Sequence, residues 1–211
     1  MLGTVPRVVG TISRRATLAA GQWPDCDIVE LRLDLLGDVN LLFIEQPTIA
    51  TIRSASEGGK WTQPDADRLP LFDAALQRYS AADIELCSVL LEKVSALAVR
   101  NQKALIVSHH DFDKTPPLSE LRQVMARAAN YATVVKIATL TKTEEDVAIL
   151  RALFQENCSA ALCILGMGPL GSQTRTEFPR LGSCFTYGFL DEPVAPGQPS
   201  ARELMQQLGA R

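Results

Sequence analysis

The chain has 211 residues, 46% of them hydrophobic and 21% charged, with a formal net charge of −3. That balance belongs to a soluble globular protein and excludes disordered, collagen-like and coiled-coil classes. With 21 basic against 24 acidic residues, it lacks the cationic excess that sequence-independent nucleic-acid binding draws on, so an anionic ligand must find a local cluster of positive charge.

Candidate elements alternate along the chain. Short β-branched or apolar runs fall at Arg7–Ser13, Ile28–Leu33, Thr48–Ile52, Asp83–Leu86, Ala104–His109, Thr133–Ala138, Ala161–Leu165 and Cys184–Tyr187. Helical spacing is expected at Pro70–Tyr79, Val89–Arg100, Leu118–Asn130, Thr143–Glu156 and Ser200–Leu208, with room for only a short helix within Leu35–Pro47. Near-continuously apolar strands suit a parallel sheet covered on both faces, and eight β/α units favour a closed barrel. The expectation is a single (β/α)₈ TIM-barrel domain over residues 1–211, compact and with shortened helices, and a doubly wound open sheet is the structural alternative. No stretch reaches the ~20 apolar residues of a membrane span, and the first residues lack the apolar core of a signal peptide. Five cysteines, odd in number and without a C-x-x-C pair, read as reduced thiols of a cytoplasmic protein.

Reactive residue types gather where strands end. Glu30 and Arg32 close the second run, Arg53 and Glu57 follow the third, His110 and Asp111 follow the fifth, Met167 and Arg175 follow the seventh, and Gln198 follows the eighth. In a β/α barrel these positions meet at the mouth formed by the C-terminal strand ends. Lys136 lies inside the sixth run, in Val-Val-Lys-Ile-Ala, where an ammonium either snorkels along the sheet or serves as a Schiff-base amine whose pKa a dry, arginine-crowded site would lower. The two histidines are adjacent, so alternation lets at most one face the barrel interior, as a general acid/base rather than as part of a metal site. Glu30, Arg32 and Asp34 are expected on one strand face, suited to a hydroxylated anionic ligand. Gly166-Met-Gly-Pro-Leu-Gly171 fits a dinucleotide fingerprint, yet it begins too near the C-terminus for the rest of such a sheet and carries Pro169 in its turn.

The order Glu-x-Arg-x-Asp, Thr-x-Arg-Ser-x-x-Glu-Gly-Gly, Asp-Ile-Glu-Leu, Ser-x-His-Asp-Phe, Val-Lys-Ile-Ala, Met with Arg eight residues on, and Ala-Pro-Gly-Gln resembles type I 3-dehydroquinate dehydratase from about Arg7 to Leu208. The resemblance implies a (β/α)₈ barrel of the shikimate pathway that converts 3-dehydroquinate to 3-dehydroshikimate with no metal and no cofactor. It implies that Lys136 forms the Schiff base, His110 is the general acid/base and Glu57 holds His110. It places Arg175 and Gln198 at the substrate carboxylate, Glu30, Arg32 and Arg53 at the ring hydroxyls, and Met167 and Tyr187 in the pocket lining. The implied partner is this small molecule, with no nucleic acid and no membrane, and homodimers are common in the family. Val194 stands where the family usually has a serine that donates to the substrate, which implies weakened binding with the chemistry retained; the spacing from Arg32 to Arg53 is also tighter than usual. Two other readings remain: a catalytically reduced homologue that binds a pathway ligand, and another Schiff-base lyase such as an aldolase. Gln173–Pro179 and Asp191–Pro199 are the candidate lid segments.

Overall fold

The structure, a computed structural model, describes residues 7–37 and 43–209. Eight parallel strands form a nearly closed barrel: β1 (Arg7–Ile12), β2 (Ile28–Arg32), β3 (Thr48–Thr51), β4 (Ala81–Glu85), β5 (Ala104–Asp111), β6 (Val134–Leu140), β7 (Ala161–Met167) and β8 (Phe185–Phe189). From β1 to β7 each strand pairs with the next in sequence, and β8 pairs with β1. The seam lies between β7 and β8, which share no ladder. There Cys184 N–H donates to Leu162 O at 2.9 Å, just ahead of β8.

Helices cover the outside: α1 (Arg15–Leu18), α2 (Leu33–Leu36), α3 (Asp65–Arg78), α4 (Leu91–Arg100), α5 (Leu118–Ala129), α6 (Glu144–Phe154), α7 (Thr174–Leu181) and α8 (Ala201–Gln207). The expected compactness is real, since α1 and α2 are single turns of four residues each. Part of the segment expected to hold a short helix, residues 38–42, lies outside the described residues. Helix α3 starts five residues before the expected Pro70, which sits inside it, because acidic Asp65 and Asp67 favour an earlier N-terminus. Among the described residues no helix is long and apolar enough to cross a membrane.

Strand alternation sorts the barrel into layers. Val8, Val29, Ala50, Ala82, Val107, Val135 and Ile164 face the helices and join the larger apolar core. Val9, Ile28, Ile49, Ala81, Ile106, Val134, Cys163 and Phe185 fill the barrel floor. Two residues further along the same strands stand Thr11, Glu30, Thr51, Asp83, Ser108, Lys136, Leu165 and Tyr187, all of them buried. The period of two thus turns an apolar floor into a largely polar second layer, and a one-residue slip in any strand would send its reactive side chain to the helix side.

Candidate active site

Above that second layer opens a cavity, and every one of the ten residues expected at the site lines it: Glu30, Arg32, Arg53, Glu57, His110, Lys136, Met167, Arg175, Tyr187 and Gln198. Of the two adjacent histidines, His110 lines the cavity and His109 does not.

Lys136 is 5% exposed. Its Nζ lies 3.0 Å from Asp83 Oδ2, 4.0 Å from Glu30 Oε1 and 4.2 Å from the centre of the Tyr187 ring. The Lys136 side chain therefore ends between two carboxylates and an aromatic face, and Asp83 offsets the arginine crowding expected from the sequence. Both Glu30 oxygens are already engaged, accepting from Thr11 Oγ1 and Thr51 Oγ1 at 2.8 Å each. Asp83 also takes Arg53 at 2.8 Å and Ser108 at 2.7 Å. Burial would raise its carboxyl, but the charges of Arg53 and Lys136 outweigh burial and hold it well below the usual carboxylate range.

The Arg53 guanidinium, expected at the ring hydroxyls, spends its donors on protein: Asp83, Ser108 Oγ at 2.7 Å and Glu85 at 3.4 Å. Glu85 in turn pairs with Arg68 at 2.7 Å and accepts from Ser54 N–H. Arg32 donates twice to Asp34, at 2.9 and 2.8 Å. Here the expected single strand face is corrected. Strand β2 stops at Arg32, and Asp34 reaches its partner from the first turn of α2.

Glu57 is delivered by a 3₁₀ turn, Ala55–Glu57, that the sequence did not reveal. Ser54 caps the turn, and Gly58 ends it in the left-handed conformation with φ +77, where a Cβ would also collide with the Phe112 ring. So held, Glu57 Oε2 lies 2.8 Å from His110 Nδ1 and accepts the His110 backbone N–H at 3.0 Å, while Oε1 accepts from the Cys87 thiol at 3.1 Å. Burial raises Glu57 to about 7, with Glu85 adding to the rise and Cys87, Arg53 and the His110 N–H opposing it. Burial, reinforced by the charges of Arg53 and Lys136, holds the His110 imidazole well below its usual value. The ring is neutral at pH 7. An ionised Glu57 then fixes the proton on Nδ1 and leaves the Nε2 lone pair unprotonated.

The β7–β8 side differs. Arg175, on α7, is 2% exposed, and its Nη1 donates to Tyr187 O at 2.9 Å. Among the described residues it has no carboxylate partner, and its Nε has none of any kind. Burial therefore pulls its pKa down to about 10. Gln198 Oε1 accepts Val194 N–H at 2.8 Å, so the amide nitrogen is the end that remains to be offered. Met167 and Leu165 supply apolar wall, and residue 194 brings no hydroxyl.

The glycine run Gly166–Gly171 builds a loop junction rather than a nucleotide cradle. Gly166 meets Gly171 so closely that a Cβ would lie 2.6 Å from its Cα, and Gly166 N–H donates to Thr174 Oγ1 at 2.8 Å. Gly168 N–H donates to Pro196 O at 2.9 Å, tying the β7 loop to the loop after β8. Neither candidate lid is a free loop. Residues 174–179 belong to α7, and the 191–199 segment is anchored at Asp191, which accepts from Ser13 N–H, Ser13 Oγ and Arg14 N–H.

Sequence reasoning gave no role to Asp83, Glu85, Arg68, Ser108, Thr11, Thr51 or Cys87. The signal for the first two was present, since Ala-Ala-Asp-Ile-Glu puts two carboxylates at alternating positions of a fully buried strand. Arg68 gave none, because it pairs with Glu85 only once α3 has folded against the barrel.

A family model described as Type I 3-dehydroquinase matches residues 11–211. The 3-dehydroquinate dehydratase of Methanothrix thermoacetophila is 36% identical over 222 aligned residues, covering 98% of this chain and 93% of its own length. That of Methanocella arvoryzae is 31% identical over 210, covering 96% and 95%. Among solved structures, 3-dehydroquinate dehydratase from Geobacillus kaustophilus superposes with a TM-score of 0.88 at 26% identity, covering 98% of this chain and 91% of that one. The Aquifex aeolicus enzyme gives 0.81 at 30%, covering 95% and 96%. With the match running nearly end to end, the chain belongs to the type I 3-dehydroquinase family and is an enzyme of the hydro-lyase class.

Proposed function

We propose that this enzyme removes water from 3-dehydroquinate to give 3-dehydroshikimate through a Schiff base on Lys136, with His110 as general base and then general acid. What carries the reading is one cavity holding a buried lysine, a neutral imidazole and a buried arginine without a carboxylate partner. The Lys136 amine adds to the substrate ketone, and a water leaves as the iminium forms. That cation draws electrons from the neighbouring carbon, so His110 Nε2 removes a proton there and an enamine results. The enamine expels the hydroxyl one carbon further on, which leaves as water with the proton that His110 carries. Hydrolysis of the remaining iminium returns the free amine and the unsaturated ketone. One base on one face thus serves both proton transfers, and no metal or nucleotide takes part.

Arg175 and the Gln198 amide receive the substrate carboxylate, an arrangement in which charge-assisted bonds replace the solvation that Arg175 has lost. Glu30 and Arg32 face the ring hydroxyls. Arg53 acts chiefly by holding Asp83, which balances the lysine. Two copies pairing in solution belong to the same family reading and would give twice the 23.0 kDa mass of one chain in sedimentation. The direct test is to add 3-dehydroquinate and follow the ultraviolet absorbance of the conjugated ketone. Rising absorbance supports the reading; ligand binding without it would point to a reduced homologue, and carbon–carbon cleavage products to an aldolase.

A further inference from the structure

Tyr187 is 3% exposed, and among the described residues its hydroxyl has no hydrogen-bond partner. Buried hydroxyls are nearly always paired, because the lost hydration is otherwise unreturned. Tyr187 lines the cavity, as does Arg175, whose Nε is likewise without a partner among the described residues. The two residues are joined, since Arg175 Nη1 donates to the Tyr187 carbonyl. On its other side the Tyr187 ring lies 4.2 Å from Lys136 Nζ. Tyr187 therefore touches both the amine proposed to take the substrate ketone, through its ring, and the guanidinium proposed to take its carboxylate, through its backbone carbonyl. In 3-dehydroquinate a single ring carbon separates the two carbons that bear those groups, so a residue in contact with both partners lies beside that edge of the ring.

Resting on the function proposed above, we propose that the Tyr187 hydroxyl is a specificity-determining donor to a carboxylate oxygen of the substrate, completing the anion site with Arg175 and Gln198. A carboxylate offers about four lone-pair positions, more than one guanidinium fork fills. Burial raises the phenol well above its ordinary pKa, so it remains a donor across the working range. The rest of this wall cannot supply that bond, since Leu165, Met167, Val194 and Ala195 are apolar. The ring itself has separate duties, packing edge-on to Phe185 with centroids 6.5 Å apart and facing the lysine. Only the oxygen is left without a task in the ligand-free protein.

Tyr187→Phe removes that oxygen and keeps the ring. The dissociation constant of the carboxylate product, 3-dehydroshikimate, should rise about 10-fold by titration calorimetry, and KM should rise by a similar factor with kcat held within about 3-fold. The melting temperature of the ligand-free variant should stay level or increase, because an unpaired buried hydroxyl has been deleted. Unchanged product affinity would overturn the inference. So would a lowered melting temperature, which would mean the hydroxyl already has a partner in the free protein. A fall in kcat with product affinity and KM unchanged would place the hydroxyl at the leaving group instead, and would equally overturn it. The calorimetric arm needs no turnover, so failure of the proposed function is read from the wild-type assay alone and failure of this inference from the ratio of variant to wild-type affinity.

Discussion

Across the β2–β6 side of the cavity, each charged group has a partner within 3.0 Å: Glu30 with Thr11 and Thr51, Arg32 with Asp34, Arg53 and Lys136 with Asp83, Glu85 with Arg68, and Glu57 with His110. On the β7–β8 side, among the described residues, Arg175 has no carboxylate partner and the Tyr187 hydroxyl has no hydrogen-bond partner. The first wall is a closed electrostatic network among its own side chains; the second leaves buried donors open, and these are the donors proposed to take an anion. Groups whose partners are already fixed need no reorganisation during reaction, which is where preorganised electrostatics lower barriers. Unpaired buried donors store a cost that only the right ligand relieves, which is how polar sites discriminate. The side of the barrel that carries the seam is thus the side proposed to bind, and the continuously laddered side is the one proposed to react.

That division can be broken by mutations whose effects fall on the wrong kinetic constant. Lys136→Ala should lower kcat by at least roughly 10⁴-fold, the scale for deleting a nucleophile, and abolish covalent capture of substrate. His110→Ala should cost about 10²–10⁴-fold in kcat while leaving capture intact, because the imine forms before the proton is taken. Steady-state kinetics beside capture assays check both, and His110→Ala retaining wild-type kcat would remove the histidine from the chemistry.

On the other wall, Arg175→Gln should raise KM about 10–100-fold, by loss of a bond to a charged group, with a smaller effect on kcat. Val194→Ser should act oppositely and more weakly, lowering KM by up to about 10-fold as a new donor joins that wall. An unchanged KM for Val194→Ser would show that residue 194 does not reach the substrate.

The pH profile sharpens the comparison within the reacting wall. Because the Glu57 carboxyl is raised to about 7, lowering the pH through that value adds a proton between Glu57 and Nδ1. The imidazole must then carry its own proton on Nε2 and loses its basic lone pair, so kcat/KM should rise with pH through about 7, a value belonging to the coupled pair. Glu57→Gln cannot titrate, and its activity should no longer fall near that pH. A limb that persists unchanged in Glu57→Gln would assign the titration elsewhere.

Much of this was legible in the chain because strands carry their reactive residues at fixed parity. Alternation alone limited the adjacent His109 and His110 to one interior-facing imidazole and left Lys136 between snorkelling along the sheet and serving as an amine inside the barrel. The resemblance then gathered distant residues that alternation cannot connect. What escaped was set by three-dimensional partners. Glu57 reaches His110 through a 3₁₀ turn of three residues, too short for any periodicity to register. Residues 174–181 read as loop because Pro179 and a polar composition hide a helix whose buried face, including Arg175 and Phe178, exists only against the barrel. The arginine cluster was visible as charge, but Asp83 and Glu85 decide how much of that charge remains for a ligand.

Lys136 is the residue proposed to bond to substrate. Wild-type protein incubated with 3-dehydroquinate, reduced with borohydride and digested should yield one modified peptide, with the added mass on Lys136, and the Lys136→Ala protein should yield none. Turnover with no adduct on Lys136, or an active Lys136→Ala variant, would contradict the account.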